Sequence, residues 1–370
     1  MKVGVLKEIK AEENRVAMTP AGVEIMKQNG HIVQIEKNAG RGSGFNDEEY
    51  VNAGAEIVDV ADAIFNRCEM IMRVKEPQPS EYELIREGQI FFNYLHLAAA
   101  EELAHALIKS GSVCIAYETI QKEDGSLPLL TPMSEVAGPM AIQEGAKYLE
   151  MAQGGQGVLL GGVPGVDPGT VLIIGGGVVG INAARKACGL GAKVYIVEVN
   201  LERLRYLSDV MPNNCFLLMS SPAVIRELVQ SADVVIGSVL IPGSKAPKLV
   251  TREMVKTMKT GSVLVDVAID QGGCFETSKE TTHSNPTYKV DGIVHYAVSN
   301  MPGAVPKTST VALTNATLPI AIEIANKGWQ KAMRENSEIK LGANVVNGKV
   351  TYKGVADAFG LEYVSIDNLL

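Results

Sequence analysis

The sequence predicts an α/β fold of two doubly wound parallel-sheet domains, the second inserted in the first. Three observations carry this. Short apolar runs alternate with helical patterns along the chain, as in βαβ units packed around parallel sheets. At 370 residues the chain exceeds what one hydrophobic core normally supports. A helical stretch also runs into the glycine-rich segment "AQGGQGVLLGGVPGVDPG", after which the α/β alternation starts afresh at Thr170.

Taken in order, Lys2–Leu6 reads as the opening strand. Thr19-Pro20 reads as N-cap and first helical position, because the Thr hydroxyl can accept a first-turn N–H and Pro has none to waste. That helix runs toward Gly30. Strands are expected at Ile32–Ile35, Met70–Val74, Ile90–Tyr94 and Val113–Tyr117, with a helix at Ala99–Lys109. The segment "AGRGSGFNDEEY" (Gly40, Gly42, Gly44) imitates a phosphate loop but lacks its final glycine and is followed by acids, so it reads as a surface loop. Thr131-Pro132 opens a long helix to about Met151, and the glycine-rich loop follows. The second α/β unit then has strands at Val171–Ile174, Lys193–Val199, Val234–Ile236, Val263–Val267 and Ile293–Val298. Beyond it the chain turns helical to near Asn336 and returns to the first domain. The expected domains are 1–130 with 305–370, and 131–304.

Composition narrows the function. With 34 Lys and Arg against 42 Asp and Glu, the net charge of −8 argues against nucleic acid as a partner. Charge at Lys2, Lys7 and Glu8 comes too early for a secretory signal. The longest apolar stretch, Thr170 to Ala184, is interrupted by glycines, so no membrane span is expected. Cys68, Cys114, Cys188, Cys215 and Cys274 form no CxxC pair. They suit reduced core thiols in a cytoplasmic protein, and no spacing supports a metal site.

Gly175-Gly176-Gly177-Val178-Val179-Gly180 matches GxGxxG between a β-branched strand and an Ala-rich helix. Gly175 allows the tight turn, Gly177 lets the backbone approach a pyrophosphate, and Gly180 lets helix and strand pack closely. The phosphates would meet the helix N-terminus. Glu198, at the end of the next strand, stands where an acid takes the ribose hydroxyls. A carboxylate there would repel a 2′-phosphate, favouring NAD over NADP, although Arg203 and Arg205 lie nearby. These features predict a Rossmann dinucleotide-binding domain.

Candidate chemistry sits at strand ends. Arg15 lies in the loop past the first strand, Lys75 closes "MIMRVKEP" and His96 closes "FFNYLH", so parallel strands would present all three at one rim. Such cations suit a small carboxylate or keto acid. Taken singly, Arg15 also fits a solvated loop charge or a surface partner of Glu12 or Glu13, Lys75 a surface charge, and His96 a satisfied rim histidine. Glu12 and Glu13 are expected to be solvated neighbours of Arg15 rather than its partners. Asp270 lies past a strand end of the nucleotide domain, whereas Asp266, inside the strand, reads as structural.

"KVGVLKEIKAEENRVAMTP", "VKEPQPSE", "YLHLAA", "IGGGVVG" and "DVAIDQGGCFETS" together resemble the bacterial members of the alanine dehydrogenase/pyridine nucleotide transhydrogenase family, in order and at consistent spacing over essentially the whole chain. The resemblance implies reversible conversion of L-alanine, NAD and water to pyruvate, ammonia and NADH, usually by a homohexamer. It implies that Arg15 and Lys75 hold the substrate carboxylate and carbonyl, that His96 is a proton donor and acceptor, and that Asp270 is a second acid/base group. For the dinucleotide it points to Ser134, Val178, Val179, Glu198, Arg203, Ser220, Val239, Leu240, Val267, Ala268, Ile269, Asp270, Lys279, Val298, Ser299, Asn300 and Met301. Two departures stand out: Gly176 replaces a common Ala, and Glu198 a common Asp. Two other readings stay open, a nucleotide-binding transhydrogenase subunit and a non-catalytic NAD-binding protein.

Overall fold

The computed structural model describes residues 1–239 and 246–370. The chain divides into two compact units: Met1–Met133 with Val305–Leu370, and the intervening Ser134–Ala304. The first unit contains β1 (Lys2–Val5), β2 (Ile32–Glu36), β3 (Glu56–Val58), β4 (Met70–Met72), β5 (Ile90–Asn93) and β6 (Val113–Ala116). The second contains β7 (Thr170–Ile174), β8 (Lys193–Glu198), β9 (Cys215–Met219), β10 (Val234–Gly237), β11 (Val263–Asp266), β12 (Thr287–Val290) and β13 (Ile293–Tyr296). After these, β14 (Ala343–Val346) and β15 (Lys349–Val350) join the sheet of the first unit.

The first sheet runs β15-β14-β6-β5-β4-β1-β2-β3, and the second β12-β13-β11-β10-β7-β8-β9. In each, the chain winds outward in one direction, then crosses over and winds the other way. The reversal falls between β1 and β4 in the first unit and between β7 and β10 in the second. Every residue of β4, β5, β6, β10 and β11 is buried, which is why these strands read as apolar runs, with Asn93 and Asp266 the polar residues that end β5 and β11.

The sheets are not wholly parallel. β12 pairs antiparallel with β13, and β14 antiparallel with both β6 and β15. Two tight turns account for the hairpins, Asp291-Gly292 and Asn347-Gly348, in which all four residues have positive φ. Asp-Gly and Asn-Gly between apolar runs are hairpin signals that the expectation of parallel strands overlooked.

Thr19 caps its helix as expected, its hydroxyl accepting from Gly22 N with Pro20 as the first helical residue. The segment around Gly40–Gly44 departs from the surface-loop expectation. It forms a short turn, Arg41–Ser43, and leads into a helix, Asp47–Ala53, opened by a capping box between Asn46 and Glu49. Ser43 is fully buried, and its hydroxyl donates to Asn14 O at 2.9 Å. The acids of this segment occupy the first helical turn, where the helix dipole favours them. Among the described residues no helix is long and apolar enough to cross a membrane.

Candidate active site

In the first unit Arg15 follows β1 and Lys75 follows β4, the two strands between which the winding reverses. His96 follows β5, the next strand along. Loops on either side of such a reversal leave a crevice past the carboxyl ends of the strands, where α/β folds bind ligands. The topology therefore brings the three expected groups to one rim.

Arg15 is buried, and its guanidinium is gripped along one edge by Glu13. Nε donates to Glu13 Oε1 at 2.8 Å, Nη2 donates to Oε2 at 2.5 Å, and Nη1 lies 3.0 Å from Met133 Sδ. The expectation that Glu13 is a solvated neighbour is overturned, for Glu13 is itself buried, and a charge removed from water must be paired. Burial alone would raise the Glu13 carboxyl, but the hydrogen bonds and charge of Arg15 outweigh it and hold it at about 2. Burial, and then the charge of Arg15, push the Lys75 ammonium below its ordinary value.

The backbone of Lys75 is anchored at both ends. Glu8 Oε1 accepts from Val74 N at 2.6 Å and from Lys75 N at 3.3 Å, while Asn93 Nδ2 donates to Lys75 O at 3.0 Å. Glu8 is held in turn by Arg73 Nη2 at 3.1 Å, and Arg73 Nη1 donates to Glu81 Oε2 at 2.6 Å. His96 is exposed, has left-handed backbone with φ of 49°, and stacks on the Tyr94 ring at 5.9 Å. Sequence reasoning passed over Glu8, Asn93 and Glu118 as site residues and took Glu13 for a solvated neighbour. Asn93 and Glu118 obey the same strand-end rule that picked out Lys75 and His96.

In the second unit the glycine loop follows β7 at the point of reversal. Gly175 has φ of 102°, a conformation that favours glycine. A Cβ on Gly180 would collide with the Gly175 carbonyl oxygen, so the close helix–strand packing needs glycine there. No atom lies within 4 Å of where a Cβ on Gly177 would stand, leaving its backbone open to close approach. The helix Val178–Gly189 starts at this loop and directs its first N–H groups toward it. These features fit a pyrophosphate.

Glu198 ends β8 beside the loop. Its Oε2 accepts from Gly176 N at 2.8 Å, and its Oε1 from Val199 N at 2.7 Å and Asn200 N at 3.0 Å. A carboxylate offers about four acceptor sites, so these bonds leave capacity for a ribose hydroxyl. Arg203 Nε donates to Gly176 O at 2.6 Å, closing the other side of the loop. Ser220 follows β9, Val239 follows β10, Val267–Asp270 follow β11, and the segment Val298–Met301 lies past β13. The expected contacts thus gather past the carboxyl ends of parallel strands. Ser134 lies in the first turns of the helix Thr131–Tyr148, Lys279 is exposed, and Leu240 lies outside the described residues. Asp270 is exposed and accepts from Ser299 Oγ at 2.5 Å. Asp266 is buried and accepts from Ala268 N, Cys274 N, Phe275 N and Ser278 Oγ, holding this corner together.

Comparison with known proteins adds the following. Residues 4–137 match the family model "Alanine dehydrogenase/PNT, N-terminal domain", and residues 141–353 match "Alanine dehydrogenase/PNT, C-terminal domain". A protein of Methanococcus maripaludis named alanine dehydrogenase is 58% identical over 371 residues, covering 100% of both chains. One of Bacillus subtilis with the same name is 57% identical, covering 100% of this chain and 98% of the relative. A solved structure titled L-alanine dehydrogenase superposes with a TM-score of 0.95 at 51% identity, covering 97% of this chain and 99% of that one.

Proposed function

The chain belongs to the alanine dehydrogenase/PNT family, and on that premise we propose that it is an alanine dehydrogenase, oxidatively deaminating L-alanine to pyruvate and ammonia in a reversible reaction with NAD. The observation that carries this reading is its full-length similarity to relatives named for that activity. A nicotinamide dinucleotide, when bound, supplies the hydride acceptor in one direction and the donor in the other.

The residues divide the work by chemistry. Arg15, already neutralised along one edge by Glu13, presents a planar donor group to the substrate carboxylate, and Lys75 meets its carbonyl oxygen. His96 gives and takes protons at its ring nitrogen as water adds and ammonia leaves. An imidazole suits the task because its ring nitrogens can both donate and accept a proton. Asp270 serves as the second acid/base group. Gly175–Gly180 with Glu198, Arg203, Ser220, Val239, Lys279 and the segments 267–270 and 298–301 hold the dinucleotide. A cytoplasmic homohexamer is the assembly this reading favours, and light scattering on the purified protein would measure it.

NADH formation from L-alanine and NAD by the isolated protein tests the activity. A chain that binds NADH yet yields none with L-alanine would sink the reading. Glu198 is the proposed source of the preference for NAD. Glu198→Ser should raise turnover with NADP relative to NAD, and equal use of both by the unaltered protein would remove that role.

A further inference from the structure

We propose that Glu118 is the positioning residue for His96, acting through the backbone rather than the ring. The inference rests on His96 being the proton donor and acceptor.

Glu118 lies in the short turn Tyr117–Thr119 after β6, next to the loop that follows β5. Its carboxylate reaches across to that loop. Oε1 accepts from His96 N at 2.6 Å and from Leu95 N at 3.1 Å, and Oε2 accepts from Leu95 N at 3.3 Å. The carboxylate therefore takes two consecutive N–H groups just past the end of β5.

Those bonds coincide with an unusual backbone. His96 has φ of 49° and ψ of 36°, the left-handed region that residues with a Cβ rarely enter. Such strain persists where surrounding contacts impose it, and it gathers at functional positions. The contact imposing it here is the Glu118 carboxylate. The left-handed turn sets the ring against Tyr94, with the two rings within 14° of parallel. Tyr94 is itself fixed, since its hydroxyl donates to Leu129 O at 2.6 Å and its ring meets Tyr117 edge-on at 5.0 Å. Asn93 Nδ2 donates to Tyr94 O at 2.7 Å as well as to Lys75 O, joining the loop of His96 to that of Lys75. Glu118 closes this frame from the third strand. Its work is geometric: it needs acceptor oxygens at the right reach, not a negative charge.

Two substitutions separate reach from charge. Glu118→Gln keeps an acceptor oxygen in place and removes the charge, whereas Glu118→Asp keeps the charge and draws the oxygens back by one methylene. Expected are a kcat within about threefold of normal for Glu118→Gln and a loss of about tenfold or more for Glu118→Asp, since small misplacements of reacting groups are costly. The KM for NADH should stay within about twofold in both, because the dinucleotide residues belong to the other unit. Combined with His96→Ala, Glu118→Asp should cost nothing further, as residues acting through one group are not additive. Normal turnover by Glu118→Asp, a Glu118→Gln variant as slow as Glu118→Asp, or a further loss in the double variant would each overturn the proposal. His96→Ala alone tests the premise separately: near-normal turnover there removes the role of His96 itself, whatever the Glu118 variants do.

Discussion

The proposed role of Arg15 gives one side chain two jobs, binding substrate and pairing with Glu13, and the pairing decides how each can be probed. Arg15→Lys keeps the charge and loses the planar fork. The KM for alanine and for pyruvate should rise by about tenfold or more, from losing a charge-assisted bond of roughly 1.5–3 kcal/mol, with little change in the KM for NADH. Unchanged KM values would return Arg15 to a purely structural role alongside Glu13. The pair also predicts a pH dependence of stability. The Glu13 carboxyl is lowered in the folded chain from 4.5 to about 2, so its stabilisation is complete above about 4.5 and fades as pH falls toward 2. That difference corresponds to about 3 kcal/mol. Glu13→Gln should therefore unfold at lower urea than the unaltered protein at neutral pH, with the gap closing as the solution is acidified through that window. A gap independent of pH would mean that Glu13 is not the titrating partner.

At the scale of elements, the proposed dinucleotide site would separate folding from binding within the six residues of the glycine loop. Gly180 is required by the fold, because a Cβ there meets the Gly175 carbonyl. Gly177 has open space and an ordinary negative φ of −68°, so alanine fits it without strain. Gly180→Ala should lower the unfolding temperature whether or not dinucleotide is present. Gly177→Ala should leave the apo protein's unfolding temperature alone and weaken NADH binding, read by fluorescence titration. Equal behaviour of the two variants would contradict the division of roles. The two hairpins teach a complementary lesson. Asp291-Gly292 and Asn347-Gly348 turn the chain back on itself by local backbone preference, adding antiparallel edges to sheets whose interiors obey the βαβ rule.

At the scale of the whole molecule, the second unit is contiguous and the first is not. The second has its own seven-stranded sheet and a core that includes Leu172, Val235, Leu264 and Phe275. A fragment of residues 131–304 should therefore fold by itself and bind NADH, with its unfolding temperature rising with NADH concentration as linkage requires. It should not turn over L-alanine, because Arg15, Lys75 and His96 are absent from it. An unfolded fragment, or a folded one indifferent to NADH, would show that the unit depends on the rest of the chain.

Much of this was legible in the residues themselves. The capped helix at Thr19-Pro20, the buried strands and the roles of Gly175 and Gly180 follow from periodicity, hydroxyl and proline chemistry and the steric demands of a tight turn, all of which act over a few residues. The strand-end rule likewise led to Arg15, Lys75, His96 and Asp270, because strand polarity fixes which end of a parallel sheet bears the loops. Partnership was not legible. Glu13 reads as a surface acid until burial removes the water that would have satisfied it, and only then must it grip Arg15. Glu118 and Asn93 reach neighbouring loops whose nearness comes from the strand order β6-β5-β4, and the left-handed backbone at His96 sits where the Glu118 bond arrives. Local sequence determined which elements form and which groups stand at their ends; tertiary structure decided which charges lost their water and so which residues had to pair.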